Sequence, residues 1–417
     1  MDYPKNPPRT SRMLWYASIL LVVSIIINYI DRGNLAVAAP LIKTELGLSP
    51  SRLGVLLSSF FWTYASFQLV SGWLVDRYNP NWVLAAGFLL WSLGTAGTGL
   101  IGGFGSLLAM RLLVGMAESV AYPAYSKILA TYFDENRRGL VNSWIDVGCK
   151  CGPALGTFAG GILMAHFGWR PFFVLLGLGA LPWLPFWAKW MPHGPGLAVS
   201  VDQPRPSVGE ILSHPAAWVT FAGQFCTNYL WSFLVTWLPS YLVRERHFSM
   251  QMMGVVGALP FVFTAAATTV TAWLSYRAIA AGAAPMRVRR TCSSIGLGFA
   301  SIIVAVPFIG DTEAAMVLLM LAATSYGICT GSCWAITQTL AGPVAAGRWT
   351  GLQNCIGNLA GVVAPAVTGF VLQTSGHYYW AFILAAGVAL TGSMVYLFGL
   401  RSVEPIKWRS PAVGVPI

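Results

Sequence analysis

The chain has 417 residues, of which 56% are hydrophobic and 9% are charged, and its mean hydropathy is +0.64. A soluble domain carries about 25% charged residues, so the composition excludes an ordinary soluble protein and places most of the chain in lipid. The net charge of +11 does not indicate nucleic acid binding, because the basic residues are concentrated in alternate loops between apolar segments.

Apolar segments long enough to cross a bilayer as helices, which takes roughly 20 residues each, follow one another along the chain. Their centres lie near residues 24, 62, 92, 116, 152, 180, 228, 264, 300, 325, 361 and 389. Long apolar runs favour helices over barrel strands, in which apolar and polar residues alternate. The sequence therefore predicts an all-α polytopic membrane protein with twelve transmembrane helices.

The first span carries two adjacent charges. In INYIDRGNLAVAAPL, residues 27–41, Asp31 and Arg32 directly follow the apolar run. A charge at the centre of a bilayer helix costs about 2.5 to 3.5 kcal/mol, so such residues mark pathways, proton relays or ion pairs. The run is too long for a signal peptide and no cleavage site follows it, so we interpret it as an uncleaved first span.

Four further charges inside the predicted spans are Arg111, Glu118, Asp146 and Lys150. Together with the first pair they form a set that is neutral when all six groups are ionised. If one carboxylate takes up a proton, the set gains a positive charge and favours an anion, and by linkage the anion favours the proton equally. The set therefore predicts proton–anion symport.

Helical spacing supports a shared cavity in the first half of the chain. Arg111, Gly115, Glu118 and Tyr122 recur at three- and four-residue steps on the fourth span, so they line one stripe. Asn28 lies on the same face of the first span as the charge pair. The alternative, that Asp31 and Arg111 only hold helices together as an ion pair, stays open.

The fifth span combines a charge pair with a glycine stripe. Asp146 and Lys150 are spaced i,i+4, so they either bind a ligand or only neutralise each other. The stripe on the other face consists of Gly148, Gly152, Gly156 and Gly160. Small residues at this spacing let helix backbones approach closely in lipid, so we expect this face to pack against another helix.

A long polar connection divides the chain into two similar halves. The segment MPHGPGLAVSVDQPRPSVGEILSHP is rich in proline, glycine and polar residues, and GLVNSWIDVGCKCGPA at 139–154 aligns without a gap on GLQNCIGNLAGVVAPA at 351–366. We expect two pseudo-symmetric six-helix bundles, 1–190 and 215–417, joined by a cytoplasmic linker, 191–214. Parallel repeats with a ligand site between them describe one large transporter architecture.

The distribution of basic residues predicts the orientation. Most of the 25 Lys and Arg residues fall in segments on the same side as the N-terminus. By the positive-inside rule both termini are cytoplasmic. Most Trp and Tyr residues are expected at membrane interfaces or in packing, whereas Tyr229, Trp231 and Trp334 are candidates to line a site.

Other functions lack their motifs. None of the seven cysteines forms a CxxC pair, so we expect no metal, no cofactor and no disulfide framework. An enzyme embedded in the membrane would need a nucleophile–base or metal constellation, yet HExxH and GxSxG are absent and the five histidines fall at span ends or in loops. A sensor would need a soluble domain to pass on its signal.

Three segments resemble the anion:cation symporter branch of the major facilitator superfamily. They are NYIDRGNLAVAAP, RLLVGMAESVAYPA followed by ENRRG, and NYLWSFLVTWLPSYL. The branch includes bacterial carriers of hexonates, hexuronates and glucarate and the vesicular organic-anion carriers of animals. The resemblance implies that fold, a location in the bacterial inner membrane, and a monomer that works with a small organic anion, protons and the lipid bilayer.

The resemblance also implies roles for single residues. Asp31 and Glu118 resemble the protonatable pair, Arg32 the contact for the substrate carboxylate, and Arg111 the partner of the deprotonated Asp31. Four residues resemble positions that line the sugar-acid site in bacterial relatives: Tyr29, Tyr64, Trp334 and Asn354. The fifth span departs from the pattern at Asp146, Cys149 and Lys150, where uncharged small or polar residues are usual. A dicarboxylate, an aromatic acid or an amino-bearing acid is therefore an alternative substrate.

The superfamily's gating motif follows the second span as GWLVDRYNPNW. Gly72, Asp76 and Arg77 match it, but the usual glycine and paired arginines that come next are missing. In the related segment after the eighth span, Tyr276 stands where an acid is expected. The gating contacts therefore differ in part from the family pattern.

Overall, the sequence predicts a secondary active transporter that carries a sugar acid, such as a hexonate, hexuronate or glucarate, together with protons by alternating access. One alternative is an organic-anion facilitator or exchanger that works without protons. The other is a carrier of an aromatic or dicarboxylic acid.

Overall fold

The structure, a computed structural model, describes residues 8–133, 135–192 and 206–400, together with Ile406 and Trp408. In these ranges the regular elements are helices. The first half contains α1 (Pro8–Glu45), α2 (Pro50–Arg77), α3 (Pro80–Leu100), α4 (Phe104–Glu118), α5 (Ala121–Tyr132), α6 (Glu135–Phe167), α7 (Trp169–Ala180) and α8 (Trp183–Trp190). The second half contains α9 (Val208–Ser213), α10 (Pro215–Arg244), α11 (Met250–Ala280), α12 (Pro285–Ala300), a 3-10 helix (Ser301–Phe308), α13 (Thr312–Ser375) and α14 (Tyr379–Gly399).

The sequence specifies several helix starts locally. Proline stands first in α2 and α3, where its missing N–H is not needed. The preceding Ser49 and Asn79 cap these helices: Ser49 Oγ accepts a hydrogen bond from Arg52 N at 3.3 Å and Asn79 Oδ1 accepts one from Asn81 N at 2.9 Å. Gly47, with φ of +60°, makes the turn from α1 to α2.

Nine segments of the described chain are long and apolar enough to cross a membrane. They are Arg12–Glu45, Pro80–Leu100, Phe104–Leu129, Trp169–Trp190, Met250–Ala280, Pro285–Phe308, Thr312–Ala341, Arg348–Ser375 and Tyr379–Gly399. The long but less apolar helices α2, α6 and α10 lie at the other three predicted positions. Two of the predicted spans are joined within α13, and the helix bends back between them, because the side chains of Thr337 and Gln353 are hydrogen-bonded across 16 residues.

The chain divides into two compact units. The first takes Met1–Val199 together with Val235–Val262 and Pro365–Thr374, and the second takes Ser200–Leu234, Phe263–Ala364 and Ser375–Ile417. The predicted linker at 191–214 stays a prediction, because residues 193–205 lie outside the described ranges.

In the first unit α1 packs against α6, α2 against α4, and α3 against α7. Stacked aromatic rings fill part of its core: the ring centroids of Phe88 and Trp183 lie 4.2 Å apart and those of Trp183 and Trp187 lie 5.1 Å apart. Arg170 Nη2 lies 2.9 Å from Glu45 Oε1, an ion pair that joins α7 to the end of α1.

The predicted glycine stripe packs against α1. A Cβ added to Gly148 would lie 2.7 Å from Ile25 Cγ2, and one added to Gly152 would lie 2.5 Å from Tyr29 Cβ. Real Cβ atoms do not approach this closely, so these positions of α6 exclude any larger residue. The expectation that this face packs against another helix is confirmed.

The first unit also contains contacts between distant parts of the chain. A Cβ on Gly161 would lie 2.3 Å from Gly254 Cα, and one on Gly54 would lie 3.1 Å from Gly369 Cα. Beside the second contact, Gln373 Oε1 accepts a hydrogen bond from Ser51 N at 3.2 Å. The start of α11 and the 365–374 segment of α13 therefore lie directly against α6 and α2.

Candidate functional site

A buried ion pair joins α1 to α4 in the first unit. Arg32 Nε donates to Glu118 Oε2 at 3.0 Å, and the two side chains are 12% and 0% exposed. In this part of a membrane protein a charge without a partner is expensive, so each group stabilises the ionised form of the other. The structure thus brings together two residues that the sequence assigned to substrate and proton.

Aromatic rings surround the Arg32 guanidinium. Its Cζ lies 4.6 Å from the ring centroid of Tyr29, 4.4 Å from that of Tyr64 and 5.4 Å from that of Phe60. Ring faces attract a cation at these distances, more strongly where water is excluded. Tyr29 and Tyr64 were predicted site residues, whereas Phe60 was missed. Its spacing of four residues from Tyr64, on the same face of α2, is the signal that could have found it.

The guanidinium keeps unused hydrogen-bonding capacity. Arg32 Nη2 and Glu118 Oε1 are both buried and, among the described residues, have no hydrogen-bond partner. An unsatisfied buried polar group costs about 1 to 3 kcal/mol, and more when it is charged. A ligand oxygen that reached Arg32 would satisfy one of them.

Asp31 and Arg111 complete a cluster of four charges. Both are almost fully buried, at 3% and 5% exposed, and Arg111 Cζ lies 4.9 Å from the centroid of the Phe60 ring. Asp31 interacts electrostatically with Glu118 and Arg111. Among the described residues, however, Asp31 and Arg111 do not form an ion pair within 4 Å. Asp31 Oδ1 and Arg111 Nε have no hydrogen-bond partner there. Within this cluster the direct ion pair is therefore that of Glu118 with Arg32. The predicted pairing of Arg111 with Asp31 stays a prediction.

Two sequence features place these groups. Pro123 lacks an N–H and its ring excludes the carbonyl of the residue four positions earlier, so the fourth span breaks at Ser119, directly after Glu118. A Cβ on Gly115 would lie 2.2 Å from Phe60 O, so glycine lets α4 approach the backbone of α2. This approach brings Arg111 beside the Phe60 ring.

A chain of weaker groups continues from the aromatic rings to α6. Tyr29 and Tyr122 hydroxyl oxygens lie 3.1 Å apart, and Tyr122 Oη lies 2.9 Å from Cys149 Sγ. The next residue, Lys150, donates to Asp146 Oδ2 at 2.5 Å. Lys150 and Asp146 neutralise each other's charge, but the Asp146 side chain is 64% exposed, so the pair is not buried as the Arg32–Glu118 pair is.

The remaining predicted residues lie elsewhere. Trp334 and Asn354 are half-buried on α13 and belong to the second unit. Gly72 has open space around it, and Arg77 Cζ lies 5.7 Å from the Trp73 ring centroid. The Asp76 side chain lies outside the described residues, so the gating assignment stays a prediction.

Known proteins resemble the chain over nearly its whole length. The Major Facilitator Superfamily profile matches residues 21–365. The hexuronate transporter of Bacillus subtilis (strain 168) is 30% identical, with 93% of this chain and 94% of that protein covered. A probable sulfoacetate transporter of Cupriavidus necator is 29% identical, with 89% and 90% covered.

A solved structure supports the fold independently. A bacterial homolog of the human lysosomal transporter Spinster superposes with a TM-score of 0.80 at 17% identity, with 96% of this chain and 98% of that chain covered. The family profile and the hexuronate transporter confirm the resemblance inferred from the DR pair and the fourth-span motif. The chain belongs to the Major Facilitator Superfamily, as a multi-pass membrane transporter and not an enzyme.

Proposed function

We propose that this protein carries an organic anion, in the first place a sugar acid, across the bacterial inner membrane together with protons. The observation that carries the proposal is the ion pair of Arg32 and Glu118, buried among aromatic rings with a guanidinium nitrogen unused. The proposal puts both termini in the cytoplasm and takes a single chain as the transporting unit.

The pair couples the two ions through charge. While Glu118 is ionised it satisfies Arg32, and an incoming carboxylate competes with it. Protonation of Glu118 removes that competitor and leaves a cation between ring faces, which favours the substrate carboxylate. By linkage the bound anion favours the proton to the same extent. Asp31 and Arg111 are proposed to add a second carboxylate that can take up a proton and a second cation that attracts the anion.

The substrate class follows from the groups beside the cation. The hydroxyls of Tyr29 and Tyr122 and the buried amide of Asn28 are suited to the hydroxyl groups of a sugar acid. A relative carries hexuronate, which is rich in such groups. Trp334 and Asn354 are proposed to contact the same acid.

A doubly charged anion is the second candidate. Lys150 adds a cation next to Cys149, and another relative is a probable carrier of sulfoacetate, which has two anionic groups. Release of Lys150 from Asp146 would let it meet a second acidic group. A sugar acid with one carboxylate would leave the Lys150–Asp146 ion pair intact.

Alternating access is supported by the glycine contacts within the first unit. With cytoplasmic termini, the contacts of Gly54 with Gly369 and of Gly161 with Gly254 lie at the outer ends of their helices and hold that side closed. Gly72, Asp76 and Arg77 are proposed to act at the opposite ends. Transport then requires the glycine contacts to separate.

The test uses proteoliposomes that contain a pH-sensitive dye. Glucuronate, gluconate, glucarate and sulfoacetate are added separately, and acidification of the lumen reports proton entry with the anion. We expect acidification with at least one sugar acid, its loss in Glu118→Gln, and its retention in Glu313→Gln, an exposed glutamate at the start of α13.

Three other results are informative. Labelled sugar acid that equilibrates without acidification would leave an anion carrier and remove the proton from its mechanism. Acidification that persists in Glu118→Gln would refute the role of Glu118. A response to sulfoacetate alone would select the doubly charged anion.

A further inference from the structure

A chain of buried amide groups crosses the second unit. The Thr337 hydroxyl donates to Gln353 Oε1, Gln353 Nε2 donates to Gln224 Oε1 at 3.2 Å, and Gln224 Nε2 donates to Asn228 Oδ1 at 2.9 Å. Thr337 and Gln353 are fully buried and Gln224 is 5% exposed. Unsatisfied buried polar groups are costly, so the three buried members hold one another in a defined geometry.

The chain has a direction. Each amide accepts through its oxygen and donates through its nitrogen to the next group, so the last residue presents an NH₂ group. Asn228 is half-buried, and its Nδ2 takes no part in this chain of hydrogen bonds. A Cβ on Gly357 would lie 3.0 Å from this nitrogen, so glycine at this position lets α13 pack close beside the Asn228 amide.

The chain also connects positions that the sequence assigned to the site. Thr337 lies one turn after Trp334 on α13, and Gly357 lies one turn after Asn354 on the same helix, so each pair shares a face. On α10, Trp231 lies one turn after Asn228 and stacks on Tyr326 with ring centroids 5.9 Å apart. The NH₂ group of Asn228 therefore lies one helical turn from Trp231 and beside Gly357, which is one turn from Asn354; the sequence assigned both Trp231 and Asn354 to a site.

We propose that Asn228 is a specificity-determining residue that donates a hydrogen bond to one hydroxyl of the transported acid. Thr337, Gln353 and Gln224 act as positioning residues, because they fix the direction of the Asn228 amide. This inference rests on the proposed transport of a sugar acid. A site that holds a fixed donor for a hydroxyl discriminates strongly against an analogue that lacks it.

The test compares the transported sugar acid with its monodeoxy analogues, as competitors of labelled uptake in proteoliposomes. We expect wild-type protein to bind one of the monodeoxy analogues about tenfold more weakly than the parent acid, the effect of one hydrogen bond. Asn228→Ala should bind the parent about tenfold more weakly and no longer distinguish it from that analogue.

A second variant addresses the positioning residues. Thr337→Val keeps the shape of the side chain and removes the donor to Gln353, so it should reduce the same discrimination while maximal uptake stays near that of wild type. Thr330→Val is the matched control, two turns earlier on α13, where the hydroxyl contacts Thr268 and lies outside the amide chain. It should discriminate as wild type does.

The outcomes separate the two proposals. No uptake of any sugar acid by wild-type protein would overturn the proposed function, and the hydroxyl contact with it. Uptake with no discrimination among the deoxy analogues, or discrimination that persists in Asn228→Ala, would overturn the role of Asn228 alone. An equal loss for the parent and every analogue would reduce Asn228 to helix packing.

Discussion

At the scale of single residues, Arg32 is surrounded by groups that bind a guanidinium in different ways. Glu118 supplies a charge and a hydrogen bond, and Tyr29 and Tyr64 supply ring faces. In the proposed mechanism, a carboxylate of the substrate replaces Glu118 but not the rings. The rings therefore hold the cation in place in both protonation states of Glu118, and a planar guanidinium suits this better than an ammonium group.

Replacement of Arg32 tests this difference. Arg32→Lys keeps the charge opposite Glu118 but loses the planar group between the rings and the unused Nη2. We expect KM for the transported acid to rise at least tenfold, with a melting temperature close to that of wild type. Uptake kinetics and a thermal unfolding scan in detergent measure the two quantities.

A matched control exists on α11. Arg277 Cζ lies 4.3 Å from the Trp273 ring centroid, but the residue is exposed and distant in sequence from the candidate site. Arg277→Lys should leave KM unchanged. An Arg32→Lys variant with wild-type KM would show that charge alone holds the anion.

At the scale of helices, glycines decide which elements can touch. Gly115 lets α4 reach the backbone of α2 at Phe60, and Gly148 and Gly152 let α6 reach α1. In lipid, where apolar contact with neighbouring tails is equally available, such close approach is a main source of helix association. The candidate site lies between helices that these contacts hold together.

The α2–α4 contact yields a prediction. In Gly115→Ala the added Cβ would lie 2.2 Å from Phe60 O and 2.6 Å from Thr63 Oγ1, so the helices must separate. We expect the free energy of unfolding to fall by about 1 to 3 kcal/mol, as for other overpacked sites, and uptake to fall with it because Arg111 moves away from Phe60.

Gly105→Ala is the control on the same helix, since a Cβ there meets nothing within 4 Å. It should match wild type in denaturation and in uptake, or be slightly more stable, because alanine favours a helix. Equal behaviour of the two variants would contradict the role of Gly115 in bringing α4 to α2.

At the scale of the whole chain, the first unit unites segments that are far apart in sequence. The 365–374 part of α13 touches the start of α2, although more than 300 residues separate them. The proposed alternating access requires such contacts to break in every transport cycle. Glycine surfaces suit this, because they separate without extracting side chains from one another.

Cross-linking tests whether the contact opens. Ser51 and Gln373 flank the glycine contact, so a Ser51→Cys/Gln373→Cys protein treated with a short bifunctional thiol reagent should stop transporting and recover when the link is reduced. The control pair is Glu45→Cys/Arg170→Cys, which joins α1 to α7 within the first half. Its cross-link should leave uptake intact; uptake through a linked Ser51–Gln373 pair would mean that this contact stays closed during transport.

The sequence could predict these features where local chemistry determines them. Apolar runs placed the spans, helical spacing placed Arg111 and Glu118 on one stripe, and glycine spacing identified the packed face of α6. The partner of Arg32 could not be predicted, because the choice among buried carboxylates depends on how α1 and α4 rotate about their axes. Phe60 was missed for a related reason, since its role depends on its position between two cations.

The joining of two spans within α13 and the amide chain were also beyond sequence reasoning. Hydropathy predicts two separate spans here, but α13 continues through the 341–348 segment although that segment contains two glycines and a proline, which usually end a helix. Gln224 and Gln353 are 129 residues apart in the chain, whereas Thr337 and Gln353 both lie on α13, 16 residues apart. Their contact depends on the packing of α10 against α13.

The composition of the first unit has a consequence for biogenesis. Surfaces at Gly54 and Gly161 are covered by segments that the ribosome makes much later, the last of them at 365–374. During synthesis these backbone surfaces therefore remain without their final neighbours while most of the polypeptide is inserted. Domains made first usually fold first, but here the N-terminal half completes its packing only when the chain is nearly finished.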